Sequence, residues 1–243
     1  MTSSVKLTRL GRMRRLRQLA QKALDAYGLS APGLTFLACE GNAIYRVDTS
    51  KPIAAVRKNN LHHPNRYVLR VHMDYHSTEA IRSELLWLSA LRQELDFPAP
   101  EPVPTVSGDL VTEVSLPGDN HMRRKCSMLR WVKGRFLHRR LTTGKIRAWG
   151  RLTGRLHEHS AAWKPPRGFV RPHRNWKGLF SDAAGFEFPA AELWEAVPKD
   201  FKEAFDTVTR RVKQVMGRLG TGPDVYGLVH ADLDVNTNIL FNR

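Results

Sequence analysis

The chain has 243 residues, 42% of them hydrophobic and 26% charged, which suffices for one large domain or two smaller lobes. No stretch approaches the roughly 20 apolar residues that cross a bilayer, so a membrane span is excluded and a soluble protein is expected. The formal net charge is +16, and residues 121–180 carry 17 Lys and Arg against one acid, Glu158. Such a field attracts anions, whether nucleotides, phosphorylated metabolites, nucleic acids or acidic lipids.

The two cysteines, Cys39 and Cys126, are far apart and fit no metal-binding or redox spacing. They are interpreted as free thiols in a reducing, cytoplasmic compartment.

The first predicted element is a helix, because apolar residues recur every three or four positions through residues 7–24. Gly28 closes it. Its other face is rich in arginine and nearly free of acids. The segment, residues 1–30, is either a helix at the domain edge with a solvated basic face or a targeting or membrane-surface segment.

Strands follow. Residues 34–38 and 43–48 flank a turn at 39–42, and residues 66–72 alternate apolar with polar side chains. Periodicity then predicts a helix over 78–95, with Ser77 or Thr78 as its N-cap. The proline-rich stretch after it cannot be helical.

A hairpin turning at residues 107–109 and a strand over 126–132 complete a β-rich first lobe, residues 31–132. Lys133 and Gly134 mark a joint. Helical patterns over 145–163 and 200–220, separated by a loop over 163–190, predict an α-rich second lobe, residues 133–243.

Glu84 falls on the apolar stripe of the predicted helix over 78–95. A carboxylate facing inward is costly unless it is paired, and Arg70 on the neighbouring strand is a candidate partner. Alternatively, Glu84 lies at the edge of the stripe and reaches water. Separately, Gly41 and Asn42 form a turn whose backbone N–H groups could approach an anion, or merely join two strands.

Near the end of the chain, "YGLVHADLDVNTNILF" places polar side chains between two apolar runs that read as short buried strands. Asp232 could orient a hydroxyl and accept its proton, a following Asn could offer oxygen to Mg²⁺, and His230 could pin the loop. The alternative is a polar loop with Asx turns. The other histidine pairs, at 62–63 and at 157 and 159, are interpreted as surface residues.

Together these features resemble the phosphotransferase family of small-molecule kinases, which includes aminoglycoside phosphotransferases, choline kinases and kinase-like homoserine kinases. The resemblance covers roughly residues 15–242, and the phrases that carry it include "GNAIYRV", "YVLRVH", "SELLWLSAL", "MLRWVKGR" and "YGLVHADL". It implies an α+β, bilobal protein-kinase-like fold that uses ATP and Mg²⁺ to phosphorylate a small-molecule hydroxyl.

The resemblance also implies roles for individual residues. Gly41 and Asn42 would cover the nucleotide phosphates, Arg70 would hold the α/β-phosphates, and Glu84 would be its helix partner. Asp232, supported by His230, would be the catalytic base. The adenine hinge would be formed by Met128, Leu129, Arg130 and Trp131.

Two departures from the family pattern stand out. The metal-binding Asn usually follows the catalytic Asp by five places, where this chain has Thr237; Asn236 and Asn238 flank that position, and the run "NILF" favours Asn238. In addition, the strand that carries a second metal-binding Asp does not follow. The second lobe is therefore expected to be incomplete.

Three functions remain open at this stage. The first is an ATP-dependent kinase acting on a neutral, anionic or amino-acid hydroxyl compound, and the second is a nucleotide-binding but inactive remnant. The third is a nucleic-acid or anionic-surface binder that uses residues 121–180, where aromatic side chains interleave with basic ones. For that segment, the alternative is a solvated basic face with aromatic anchors.

Overall fold

The computed structural model describes residues 8–30, 32–53, 61–74, 76–117, 119–137, 141–180 and 190–242. The chain divides into two compact units: Met1–Arg135 together with Leu240–Arg243, and Phe136–Ile239. Parts of the predicted loops over 49–65 and 163–190, and Leu7 of the first predicted helix, lie outside the described residues.

The first unit contains every strand of the described residues and two helices. Its helices are α1 (Arg9–Asp25) and α2 (Thr78–Glu94). Its strands are β1 (Gly33–Glu40), β2 (Asn42–Asp48), β3 (His62–His72), β4 (Pro102–Val103), β5 (Thr112–Leu116) and β6 (Asp119–Val132).

The strands form one antiparallel sheet in the order β1-β2-β3-β6-β4, with β5 also paired to β6. The β2–β3 register sets Asn42 opposite His72 and Ile44 opposite Arg70. The β3–β6 register sets Arg70 opposite Ser127. This end of the sheet therefore gathers residues from three strands.

The two faces of the sheet bury different side chains because successive residues of a strand point to opposite faces. Tyr67, Leu69 and Val71 of β3 are fully buried in the cluster that includes α1. On the other face, Val68 packs with Ile81 and Leu85 of α2. Each fully buried side chain of this size contributes about 1.5–3 kcal/mol. Arg70 and His72 share the second face with Val68.

Both predicted helices of this unit are confirmed. Thr8 caps α1 by accepting from the backbone of Gly11, and Ser77 caps α2 by accepting from the backbone of Ala80. The inward face of α1 consists of Leu16, Leu19, Ala20, Ala23 and Leu24. Since that face belongs to the core of the first unit, α1 is an integral helix of it.

The predicted hairpin is corrected by the pairing. The chain does turn at Ser107 and Gly108, but β4 and β5 do not pair with each other; both pair with the same edge of β6. β6 begins seven residues before the predicted start at Cys126, and this added length provides the pairing partner for β5.

The second unit is helical in its described part. It contains α3 (Thr143–Ala162), α4 (Trp176–Phe180), α5 (Ala190–Ala196) and α6 (Lys202–Leu219). The two long helices match the predicted ones, whereas α4 falls inside a stretch predicted as loop. Among the described residues, no helix combines the length and apolarity needed to cross a membrane.

Candidate functional site

The first unit holds an ion pair on the sheet face that α2 covers. Arg70 Nη1 lies 2.6 Å from Glu84 Oε1, and the Arg70 and Glu84 side chains are 13% and 31% exposed. β3 directs Arg70 to this face, and α2 carries Glu84 beside Ile81 and Leu85. The pair that the inward position of Glu84 predicts is present, while the carboxylate keeps access to water.

Ser127 and His72 hold the other side of the guanidinium. Ser127 is fully buried opposite Arg70, whose Nε donates to Ser127 Oγ at 3.2 Å. His72 Nε2 lies 2.9 Å from the same Oγ. Burial, followed by the charge of Arg70, lowers the pKa of His72 to about 3, so its ring is neutral at physiological pH.

Sequence reasoning missed both of these residues. His72 follows Arg70 by two positions in a strand, so its place on the same face is readable from the alternation. The position of Ser127 depends on the β3–β6 register, which joins residues 57 apart in the chain. The local sequence pattern does not predict this register.

One nitrogen of Arg70 makes no hydrogen bond in the described part of the chain. Its Nη2 is buried without a hydrogen-bond partner in the described part of the chain. A buried donor left unpaired costs about 1–3 kcal/mol, so a phosphate oxygen in that place would be bound with gain. The guanidinium is thus fixed through Nε and Nη1, and Nη2 is its one nitrogen without a partner among the described residues.

The β1–β2 turn lies at the same end of the sheet. Gly41 has φ +69°, which a glycine adopts without strain, and Asn42 stands opposite His72. Asn42 Oδ1 is also buried and accepts no hydrogen bond from the residues that the structure describes. Gly41 and Asn42 are therefore close in register to Arg70, and their phosphate-covering role remains a prediction.

The predicted adenine hinge lies within β6. Met128 and Leu129 pair with β3 on one side and with β4 on the other, and both are buried. The backbone N–H of Arg130 donates to Glu101 O at 2.8 Å. Trp131 is partly exposed and its ring lies 5.6 Å from the Arg66 guanidinium. Adenine contact remains a prediction for this segment, and Trp131 is its most accessible member.

In the second unit, Asp232 and Asn238 are in direct contact. Asn238 Nδ2 donates to Asp232 Oδ2 at 2.9 Å and to Asp232 O at 2.7 Å. The backbone N–H of Asp232 lies 3.3 Å from His230 Nδ1, which accepts from it. Three of the four polar residues predicted for this loop are therefore joined by hydrogen bonds, and Asp232 is exposed.

The two asparagines differ in their contacts. Asn236 donates to Asp234 Oδ1 from both its backbone and its side chain, at 2.7 and 2.9 Å, as in an Asx turn. Asn238 instead contacts Asp232. The contacts support the choice of Asn238 over Asn236 as the metal ligand, which remains a prediction.

The expectation of two buried strands around this loop is wrong. Residues 226–233 form no strand in the described structure, and Val229 is exposed; after the loop, Phe241 makes a single bridge to Arg135. An apolar run becomes a strand only where another backbone pairs with it. Instead, the loop is anchored by the buried side chains of Val235 and Ile239. Ala231, between His230 and Asp232, has φ +63°, a conformation that is strained for alanine.

The oxygen atoms of the loop around Asp232 suit a magnesium ion. No cluster of three or more His, Cys, Asp or Glu side chains able to hold a metal occurs among the described residues. Mg²⁺, however, is usually held by one or two carboxylates together with substrate phosphates and waters. Asp232 and Asn238 each have a side-chain oxygen beyond the atoms used in their mutual bond.

Three aromatic residues of the basic segment contact neighbours in the described chain. The Trp163 ring stacks on His159 and meets Phe169 edge-on, while Lys213 lies over Trp176. These contacts favour the interpretation of the aromatic side chains as anchors. Residues 138–140 of the segment lie outside the described residues.

Two histidines predicted at the surface are buried. His62 is in β3 with Nε2 3.3 Å from Ala99 O, and burial lowers its pKa. His159 lies in the last turn of α3 beneath Trp163. Strand pairing buries the His62 ring, and stacking on Trp163 buries the His159 ring. The polarity of histidine alone predicts that both rings lie at the surface.

Comparison with known proteins agrees with the resemblance to the phosphotransferase family. The family model described as "Phosphotransferase enzyme family" matches residues 51–243. A solved structure of a microcompartment-associated aminopropanol kinase is 30% identical, with a TM-score of 0.64 over 90% of this chain and 63% of that one. Amicoumacin kinase hAmiN in complex with AMP-PNP, Ca²⁺ and Ami is 21% identical, with a TM-score of 0.66 over 93% of this chain and 61% of that one. No curated protein is significantly similar.

The chain spans about three fifths of the length of these solved structures. The shared architecture confirms the expected kinase-like α+β fold. Because the family model covers most of the sequence, including the segments around Arg70, Glu84 and Asp232, the chain belongs to the phosphotransferase enzyme family.

Proposed function

We propose that the chain acts in an ATP-dependent kinase that phosphorylates a hydroxyl group of a small molecule. The observation that carries the proposal is the Arg70 guanidinium, which Glu84 and Ser127 hold in place and whose Nη2 has no hydrogen-bond partner among the described residues. Family membership and the kinase neighbours support it.

In this proposal the first unit binds the nucleotide phosphates. Arg70 donates from Nη2 to phosphate oxygen, Glu84 and Ser127 keep the guanidinium from turning, and the turn at Gly41 and Asn42 covers the phosphates. Charge-assisted hydrogen bonds of this kind are about twice as strong as neutral ones. A cation fixed before the reaction needs no reorganisation when charge develops in the transition state.

The second unit supplies the acid–base group. Asp232 orients the acceptor hydroxyl and accepts its proton, and Asn238 keeps the carboxylate in place through Nδ2. Asn238 would also provide its side-chain oxygen as a ligand to Mg²⁺, which when bound neutralises charge on the phosphates. His230 fixes the backbone of Asp232.

The acceptor class is an amino alcohol or a hydroxy amino acid. The 30% identity to an aminopropanol kinase favours an amino alcohol. The basic composition of residues 121–180 disfavours a polycation such as an aminoglycoside. A panel of aminopropanol, homoserine, a neutral sugar and an aminoglycoside separates these classes.

The test has two stages. Thermal unfolding is followed with AMP-PNP, with and without Mg²⁺, and a Mg²⁺-dependent rise in Tm is expected. ADP release with the acceptor panel is then compared between the parent chain, Asp232→Asn and the control Asp200→Asn, an exposed residue at the start of a helix.

We expect Asp232→Asn to abolish ADP release while retaining the AMP-PNP shift, and Asp200→Asn to match the parent. Nucleotide binding without turnover by the parent would identify a nucleotide-binding protein without kinase activity. If AMP-PNP gives no shift while an oligonucleotide binds with steep salt dependence, the kinase proposal fails in favour of a nucleic-acid binder.

A further inference from the structure

Valence narrows the hydrogen positions around Ser127 to two arrangements. An arginine side chain has donors and no acceptor, so the Arg70 Nε–H donates to Ser127 Oγ. A serine oxygen has two acceptor lone pairs and one hydrogen, so Ser127 Oγ either donates to His72 Nε2, 2.9 Å away, or accepts from it as well. A directed series of hydrogen bonds, in which each group donates to the next, requires His72 Nε2 to be the acceptor and the ring proton to be on Nδ1.

The environment of His72 keeps its ring neutral, as an acceptor role for Nε2 requires. The ring is buried, and the charged or titratable groups around it are Arg70, Glu84, His76 and Lys125. Burial and the Arg70 charge lower the pKa of His72 to about 3, so the ring has one unprotonated nitrogen throughout the physiological range. A protonated His72 could not accept from Ser127.

We infer that His72 and Ser127 are positioning residues which, through the hydrogen-bond chain from Arg70 Nε through Ser127 Oγ to His72 Nε2, aim Arg70 Nη2 at the nucleotide phosphates. The inference rests on the proposed function. Glu84 alone holds one end of the guanidinium and leaves rotation about its contact free. The bond to Ser127, on the opposite strand, removes that freedom, and His72 fixes the hydroxyl rotor.

A phosphate-specific readout separates positioning from a general structural role. Affinities for Mg²⁺·AMP-PNP and for adenosine, which has no phosphates, are measured by calorimetry for the parent, Ser127→Ala and the control Ser89→Ala. Ser89 is on α2 and donates to Leu85 O within its own helix, so its loss removes a hydroxyl without touching Arg70.

The expected result is an AMP-PNP affinity five- to tenfold lower in Ser127→Ala, corresponding to the loss of about one hydrogen bond, with adenosine affinity unchanged. Ser89→Ala should match the parent for both ligands. Equal losses for AMP-PNP and adenosine, or no loss at all in a parent that binds AMP-PNP, would overturn the positioning role and leave the proposed function standing. A parent that binds no AMP-PNP overturns both.

A measurement on the unaltered protein tests the direction of the hydrogen bonds from Arg70 through Ser127 to His72, even if Ser127→Ala does not fold. Nitrogen-15 spectra of the histidine rings report which nitrogen carries the proton. We expect His72 to carry it on Nδ1 from pH 5 to 8, whereas a proton on Nε2 would overturn the assigned chain. His72→Leu, which removes the acceptor, identifies the resonance.

Discussion

Replacing Glu84 by alanine tests how the first unit stabilises a buried cation. In Glu84→Ala, Arg70 Nη1 loses its partner, and Nη2 already has none among the described residues. The guanidinium then keeps only the hydrogen bond from Nε to Ser127 Oγ. Breaking a fully buried ion pair costs about 3–5 kcal/mol. Because Glu84 is 31% exposed and water can reach the space it leaves, we expect about 2 kcal/mol.

The matched control is Glu113→Ala. Glu113 also pairs with an arginine across elements of the first unit, Arg123 at 2.9 Å, but the two side chains are 43% and 69% exposed. Such a pair contributes about 0–1 kcal/mol. Urea unfolding monitored by tryptophan fluorescence gives both free energies. If the two variants lose equal stability, or if Glu84→Ala loses none, burial does not govern the Arg70 pair and the reasoning fails.

Three further predictions concern other positions. Burial and the charge of Arg70 lower the pKa of His72 from 6.5 to about 3, so below pH 6.5 the unfolded chain binds a proton that the folded chain excludes. The parent should therefore lose about 2 kcal/mol between pH 6.5 and 5 from this group, and His72→Gln should lack this part of the slope in urea unfolding. Gly134 has φ +143°, and an added Cβ would lie 2.9 Å from Leu240 Cβ, so Gly134→Ala should lower the free energy of unfolding by about 2 kcal/mol. Gly150 is in α3 with no atom near the position of an added Cβ, so Gly150→Ala should raise the free energy of unfolding by about 0.5–1 kcal/mol. Equal effects of the two substitutions would contradict this difference between the two glycines. Asn238→Ala should lower kcat at least tenfold and weaken Mg²⁺ activation, whereas Asn236→Ala should change kcat less than threefold; the reverse order would place the ligand at Asn236.

Periodicity determined much of the first unit. The alternation of β3 puts Tyr67, Leu69 and Val71 on one face and Arg70 on the other, and the helical repeat of α2 puts Glu84 among its apolar residues. An arginine and a glutamate on facing surfaces then have few alternatives to pairing, since neither tolerates burial alone. The ion pair was therefore readable from local pattern, as was the Ser77 cap of α2.

The second unit was less readable. Its long helices follow from the three- to four-residue repeat, but α4 has five residues and too few positions to show one. The apolar runs beside Asp232 have the pattern of strands. Whether such a run forms a strand or a loop depends on whether a segment elsewhere in the chain pairs with it. The contact of Asn238 with Asp232 depends on a loop conformation in which Ala231 has a positive φ. An alanine in the sequence does not predict a positive φ.

By itself, the sequence determined the elements, the faces they bury and the residue types available for phosphate and proton chemistry. Only the tertiary structure decided that Ser127 stands opposite Arg70, that His72 completes the chain behind it, and that β4 and β5 share one edge of β6. The physical reason is the range of the interactions. Side-chain direction repeats over two to four residues, whereas strand register joins segments tens of residues apart, and a shift of one residue would turn Ser127 to the other face of the sheet.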